Sequence, residues 1–470
     1  MNFPPSFILP FTLGLLFISC FLVIIIGIWI SGLSRIDKSR IIHNLFTRKS
    51  LSAIGETFSE SLIHRKIFRK NPVLGYMHMS LAFGWFLLIV VGHIEACNHY
   101  QSLSVPAYKA IFMRYFVTEA PDTLSGKILA GSMDILLLFV LSGVFLAYFK
   151  RLNSRLFGMK KTTQLKTGDR IALSALWLIF PLRFLAESVS AGLHHNGSII
   201  SEPTGHLLSI FLPIQLFEMP LWWAYSASLG LFFFALPVSR YMHIPVEVVM
   251  IFLRKYGIRV KIRIDGYTRI QVYSCSRCGI CLDSCQMTHA AIRNTQSVYV
   301  LKHIRNKNLT DEKLFNCLLC GRCQPDCPVG LELNNLRLTQ RIESTRDYNS
   351  SYDYLKNGKV TISPRTEVIY FAGCMTHLTP SIIKSMKEIF AVAHVKYWFM
   401  DEDKTACCGR PLMQMGQYEA AKKLVAHNRE RILASGARKL VVSCPICYKI
   451  FKDDYALPGI TVQHHSEYLL

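Results

Sequence analysis

Cys275-Ser276-Arg277-Cys278-Gly279-Ile280-Cys281-Leu282-Asp283-Ser284-Cys285 and Cys317-Leu318-Leu319-Cys320-Gly321-Arg322-Cys323-Gln324-Pro325-Asp326-Cys327 each read C-x₂-C-x₂-C-x₃-C. Three thiolates at that spacing wrap one face of an iron–sulfur cubane, and the fourth cysteine reaches across to a second cluster. Two copies in tandem predict two [4Fe–4S] clusters. On the crossed pattern Cys275, Cys278, Cys281 and Cys327 hold one, and Cys317, Cys320, Cys323 and Cys285 hold the other. Zinc and disulfides are the competing readings. Zinc sites usually use two C-x₂-C pairs rather than runs of four cysteines.

The 470 residues around this stretch have room for two or three domains. Hydrophobic residues make up 51% of the chain, which suggests that part of it is embedded in a membrane. Thirteen of the fifteen cysteines follow residue 274, in metal-ligand spacings, so a reducing compartment is expected rather than a secreted disulfide protein. The formal charge of +22 sits largely in loops between apolar segments. Membrane topology therefore explains it better than nucleic acid, which is not expected as a partner.

Five apolar stretches precede the clusters, at about 6–30, 73–96, 128–149, 171–193 and 219–242. Each reaches the roughly 20 residues that a bilayer crossing takes. The first lacks a basic flank and a cleavage site, and reads as a span rather than a signal peptide. The first loop carries Arg35, Lys38, Arg40, Arg48, Lys49, Arg65, Lys66, Arg69 and Lys70, and the third Lys150, Arg151, Arg155, Lys160, Lys161, Lys166 and Arg170. The positive-inside rule puts both in the cytoplasm. The N-terminus is then outside, the cysteine-rich half inside, and the protein multi-pass in the inner (cytoplasmic) membrane.

Histidines mark the span ends. His78 and His93 stand on one predicted helix, about 22 Å apart at 1.5 Å per residue. His243 closes the fifth span level with His78, while His194, His195 and His206 lie level with His93. Intramembrane ionisable residues are usually functional, and bis-histidine ligation suits a b-type haem. One haem b on His78 and His243 is expected, and His93 with His194 or His206 would hold a second. An interfacial position at the headgroups is the alternative for each. His43, His64 and His99 read as ordinary loop residues. Arg183 and Glu187, four apart on one face, would serve a haem propionate or quinone protons, or form an internal ion pair.

Leu236-Pro237-Val238-Ser239-Arg240-Tyr241-Met242-His243-Ile244-Pro245-Val246-Glu247 resembles the end of the membrane cytochrome b subunit of respiratory nitrate reductase. That resemblance implies a ligand histidine at His243, and the segment Phe86 to His93 implies another at His93. The same family has a further histidine where this chain has Tyr225. His78-Met79-Ser80-Leu81-Ala82-Phe83-Gly84-Trp85-Phe86 is closer to the fused membrane domains of heterodisulfide reductase-like and electron-transfer-flavoprotein quinone oxidoreductases.

Residues 256–270 alternate basic and apolar side chains, as in a short exposed strand or linker. Residues 286–316 predict surface helices, and 331–343 has helical apolar spacing. Residues 344–364 are polar and read as a linker. Beyond Pro364 strands (368–371, 395–399, 440–442, 460–462) alternate with helices (381–391, 418–434, 445–451), which predicts a parallel sheet covered by helices. Such sheets form sites at the carboxyl ends of their strands. Cys374, Cys407-Cys408 and Cys444-Pro445-Ile446-Cys447 follow successive strands. His377 reads as surface. No G-x-G-x-x-G fingerprint is present, so bound flavin or NAD is not expected.

Phe371-Ala372-Gly373-Cys374 and Cys408-Gly409-Arg410-Pro411 resemble the cysteine-rich "CCG" domain of heterodisulfide reductase, glycolate oxidase iron–sulfur and lactate-utilisation proteins. The resemblance implies that Cys374, Cys407, Cys408, Cys444 and Cys447 form a terminal catalytic site, holding a third, non-cubane iron–sulfur cluster or a zinc ion. Catalytic relatives carry two such domains, which implies that a partner subunit supplies the second.

The fold class expected is multi-domain: a five-helix transmembrane bundle (1–255), a helical 2[4Fe–4S] ferredoxin domain (256–343), a linker (344–364) and an α/β cysteine-rich domain (365–470). The expected function is a quinone-linked oxidoreductase. It would exchange electrons with a cytoplasmic thiol/disulfide, an electron-transfer flavoprotein or a second CCG-domain subunit. A non-catalytic electron-transfer subunit and a haem-free anchor with structural zinc are the alternatives.

Overall fold

A computed structural model describes residues 5–119, 123–152, 165–345, 364–404 and 406–470. The expected linker falls almost wholly outside the described residues, as do Arg155, Lys160 and Lys161 of the third loop. The chain divides into two compact units: Met1–Lys313 with Cys320–Leu336, and Leu314–Leu319 with Arg337–Leu470.

Among the described residues of the first unit, four helices are long and apolar enough to cross a membrane: Ser6–Ser31, Pro72–Tyr100, Leu124–Lys150 and Thr167–His194. A fifth exists if Ile214–Ala235 and Arg240–Lys255, which meet at a 77° bend, form one span. The regular helices are α1 (Leu9–Ser31), α2 (Pro72–Tyr100), α3 (Leu124–Leu152), α4 (Thr167–His194), α5 (Ile214–Ala235) and α6 (His243–Lys255). Apolar side chains point outward as well as inward: Leu16, Val23 and Ile24 of α1 are 63%, 74% and 61% exposed. A water-facing helix would not carry such a face. Helix α1 crosses α5 where two glycines meet. A Cβ on Gly14 would stand 2.8 Å from the Gly230 Cα, so only a bare backbone allows that approach. Asn71 starts α2 by accepting from the Leu74 N–H at 3.0 Å, with Pro72 at the first helical position.

The expected fifth span, 219–242, is corrected at its end. The helix stops at Ala235, because Pro237 has no N–H to continue the ladder. Ser239 Oγ then accepts from Tyr241 N–H at 3.2 Å and starts a new turn. His243 therefore opens α6 instead of closing a straight span. Residues 256–270 are also not a strand or linker throughout. Asp265 caps a helix, α7 (Gly266–Tyr273), accepting from Thr268 N–H at 2.9 Å, and the helix buries Tyr267 and Ile270 completely. A capping box overrides the basic–apolar alternation there. Two further helices, α8 (Ser297–Arg305) and α9 (Leu333–Ser344), follow.

The second unit holds four parallel strands, β1 (Val368–Phe371), β2 (Tyr397–Phe399), β3 (Lys439–Val442) and β4 (Thr461–His464), in the order β2-β1-β3-β4. Between them run α10 (Cys374–His377), α11 (Pro380–Val392), α12 (Tyr418–Ala434) and α13 (Pro445–Asp453). Side chains of β1 alternate between two buried layers, Ile369 and Phe371 in one, Val368 and Tyr370 in the other. That is the pattern of a sheet covered on both faces. Arg341 ties the segment Leu314–Leu319 to this unit, donating to the carbonyls of Leu314, Phe315 and Cys317 at 3.1, 3.0 and 2.7 Å.

Candidate metal centres

Four cysteines from the two runs meet in the first unit. Cys275, Cys278 and Cys281 line one pocket together with Cys327 from the second run, cased by Val298, Leu301, Val329 and Leu331. Burial pushes the Cys275 thiol up to about 11 and the Cys327 thiol up to about 12, and raises Cys281 as well. Thiols in such a casing ionise readily only against a cation, so four of them facing one apolar pocket fit an iron–sulfur cluster. Positive charge surrounds them. Arg277 and Arg305 lie within electrostatic reach of Cys275, and Lys150, at the end of α3, within reach of Cys278. Arg277 is itself held in a buried ion pair with Asp169.

Of the second set, Cys285, Cys320 and Cys323 stand in the first unit and Cys317 in the other. Cys320 is exposed, and Cys323 Sγ lies 3.3 Å from Ser297 Oγ.

The five remaining cysteines converge at the carboxyl ends of β1, β2 and β3. The Cys407 and Cys447 thiols both donate to Cys408 and hold it down to about 3; Cys447 also holds Cys444 down to about 6. The Cys407 and Cys447 thiols are raised in consequence. Cys374 faces Cys408 and Cys444 from an exposed position. Gly373, at φ +84°, makes this possible: a Cβ there would stand 2.6 Å from Cys444 Cβ and 2.9 Å from Cys447 Sγ. Among the described residues, no three His, Cys, Asp or Glu side chains stand where a single metal ion could bind them all.

Three residues that the sequence did not single out brace these loops. Asn428 donates to the Cys407 carbonyl at 2.8 Å and to Tyr455 Oη at 3.0 Å, and Tyr455 donates to the Cys408 carbonyl at 3.1 Å. Asp401, 1% exposed, accepts from the Ala372 and Gly373 N–H groups at 2.8 and 2.6 Å. Their signal in the sequence was only their place after strands or on an amphipathic helix. His377 is not a surface residue: its Nε2 lies 3.2 Å from Asp401 Oδ2 and its ring lies parallel to Phe399.

Among the histidines, His78 and His243 lie within electrostatic reach of each other at one end of the bundle, and Lys150 is within reach of His78 as it is of Cys278. His243 donates its Nδ1–H to the Arg240 carbonyl at 2.7 Å, which leaves Nε2 free. Metal-ligating histidines are often anchored in this way. At the other end they do not gather: His93, His195 and His206 are exposed, and His194 pairs with Glu218 at 3.2 Å. Arg183 and Glu187 form an internal ion pair at 2.8 Å, and a second buried pair, Arg114–Glu95 at 3.0 Å, lies within the same bundle.

Residues 271–331 match the 4Fe-4S dicluster domain family, and residues 368–452 match the cysteine-rich domain family, CCG. The D subunit of dihydromethanophenazine:CoB–CoM heterodisulfide reductase from Methanosarcina acetivorans is 23% identical over 239 residues, 40% of this chain and 58% of the relative. Its counterpart from Methanosarcina barkeri is 22% identical over 172 residues, 31% of this chain and 42% of the relative. The B subunit of fumarate reductase (CoM/CoB) from Methanothermobacter marburgensis is 22% identical over 283 residues, 50% of this chain and 56% of the relative. The chain thus spans about half the length of the curated relatives it matches. No solved structure matches it. The chain joins a 4Fe–4S dicluster domain to a cysteine-rich domain and is similar to the D subunit of heterodisulfide reductase.

Proposed function

We propose that this protein is a membrane-bound iron–sulfur oxidoreductase that relays electrons between the quinone pool and a cytoplasmic redox partner. The partner is a thiol/disulfide couple, an electron-transfer flavoprotein or a second subunit with a cysteine-rich domain. In this reading the N-terminus is outside and both cysteine-bearing domains are cytoplasmic. His78 and His243 hold a b-type haem, and the two tandem cysteine runs hold the cubanes in the crossed arrangement. Cys374, Cys407, Cys408, Cys444 and Cys447 hold the terminal iron–sulfur site. Bound haem and clusters supply one-electron chemistry, and the protein sets their spacing, exposure and surrounding charge. Lys150 and Arg240 balance negative charge on the first cluster and on haem propionates, and the apolar casing around Cys275 and Cys327 keeps water from the thiolates.

The observation that carries this reading is Lys150, which lies within electrostatic reach of both the His78 ring and the Cys278 thiol. The ligand sets proposed for haem and first cluster are therefore neighbours. Purified protein should contain about eight iron atoms per chain from two four-iron clusters, beyond haem iron and any third cluster. It should also show a low-spin b-haem spectrum that a quinol reduces. Iron at that level with no haem band would refute the quinone-linked relay. A second reading, an electron-transfer subunit with its active site on a partner chain, is favoured because the similar relatives are themselves subunits of reductases.

A further inference from the structure

The segment before α2 is built in an unusual way and delivers one histidine. Thr57–Leu62 is π-helical; π turns are rare and collect at functional sites. His64 follows in the left-handed region at φ 58°, ψ 42°, a turn conformation in which histidine is enriched among non-glycine residues. Its Nδ1 donates to the Leu62 carbonyl at 3.1 Å, which fixes the ring. That ring lies against His78, with centroids 5.4 Å apart and planes 19° apart. His64 is also within electrostatic reach of His243. Among the described residues no hydrogen bond holds a ring nitrogen of His78, and the His64 ring is a direct neighbour that can restrain its plane.

We propose that His64 is a positioning residue of the histidine site, setting the plane of the His78 imidazole by stacking on it. The proposal rests on the haem reading above. The His64 ring lies against the His78 imidazole itself, and this ring contact is the one through which it would act. His64 therefore acts through His78. The orientation of an axial imidazole tunes the electronic structure and the potential of its iron.

The test uses the full-length haem-loaded protein and the variants His64→Ala and His64→Phe. Haem content, the low-spin EPR spectrum and the haem midpoint potential are measured. His64→Ala should keep its haem and stay low-spin, while the largest g value and the midpoint potential shift beyond replicate error. His64→Phe restores a ring against His78 and should return both toward the parent values. An Ala variant with unchanged g values and potential would overturn the proposal. So would conversion to high-spin haem or loss of haem, since that would make His64 itself a ligand. Parent protein that purifies with clusters but no haem would instead overturn the reading on which the proposal rests.

Discussion

The first cubane site and the cysteine-rich site use the same side chain in opposite settings. Cys275, Cys278, Cys281 and Cys327 sit in an apolar case, where burial raises the thiols of Cys275, Cys281 and Cys327. The five cysteines of the second unit are polarised by one another, and Cys374 is exposed. Hydrogen bonds with Asn428, Tyr455 and Asp401 brace the Cys407–Cys408 and Ala372–Gly373 backbones, while Cys408, Cys444 and Cys447 also pack in the apolar core of the sheet. A dry, enclosed thiol set suits passing electrons without chemistry on the ligands. A polarised set with one exposed member suits a site where an outside group is met.

The contrast breaks most clearly at the ligands themselves. Cys327→Ala should abolish the first cubane although Cys327 lies far along the chain from Cys275, lowering iron by about four atoms per chain. Iron analysis and EPR of the reduced protein check this, and an intact first-cluster signal would refute the crossed assignment. Cys374→Ser should leave both cubane signals in place and remove or alter only a third signal, so the same spectra separate the two settings. Asn428→Ala removes two hydrogen bonds from a buried lattice and should cost about 1–3 kcal/mol. Thermal or denaturant unfolding should locate that loss in the cysteine-rich unit, with cubane content unchanged. Lys70→Ala breaks a half-exposed ion pair with Asp326, inside the second cysteine run. It should cost less than about 1 kcal/mol and leave the clusters intact, because exposed pairs contribute little.

How much was legible in the sequence follows from how local each signal is. Hydropathy placed the four long apolar helices found among the described residues, and alternation with turn residues placed the strands of the sheet within a few residues. The C-x₂-C-x₂-C-x₃-C spacing singled out the eight cysteines of the tandem runs, since ligand spacing is a property of short segments. What escaped depends on tertiary placement. The break after Ala235 turns on one proline followed by a serine cap, inside an otherwise continuous apolar run. The helix from Gly266 was masked by a basic–apolar alternation that mimics a strand. Asn428, Tyr455 and Asp401 look ordinary until the loops they hold are folded. His64 read as a loop residue because nothing local shows that its backbone is left-handed or that its ring meets His78. The outer histidines erred the other way: His93 and His206 share a predicted level, yet both face outward, which only helix rotation decides.

The central claim is that the bundle's histidine site feeds the first cubane. It is tested most directly by rapid freeze-quench EPR of the purified protein mixed with a quinol, in the parent and in His243→Ala. The parent should show quinol-dependent reduction of haem followed by cluster signals. The variant should lose the low-spin haem and the quinol-driven cluster reduction, while dithionite still reduces its clusters fully. Clusters that quinol reduces at the parental rate in a variant without haem would contradict the account.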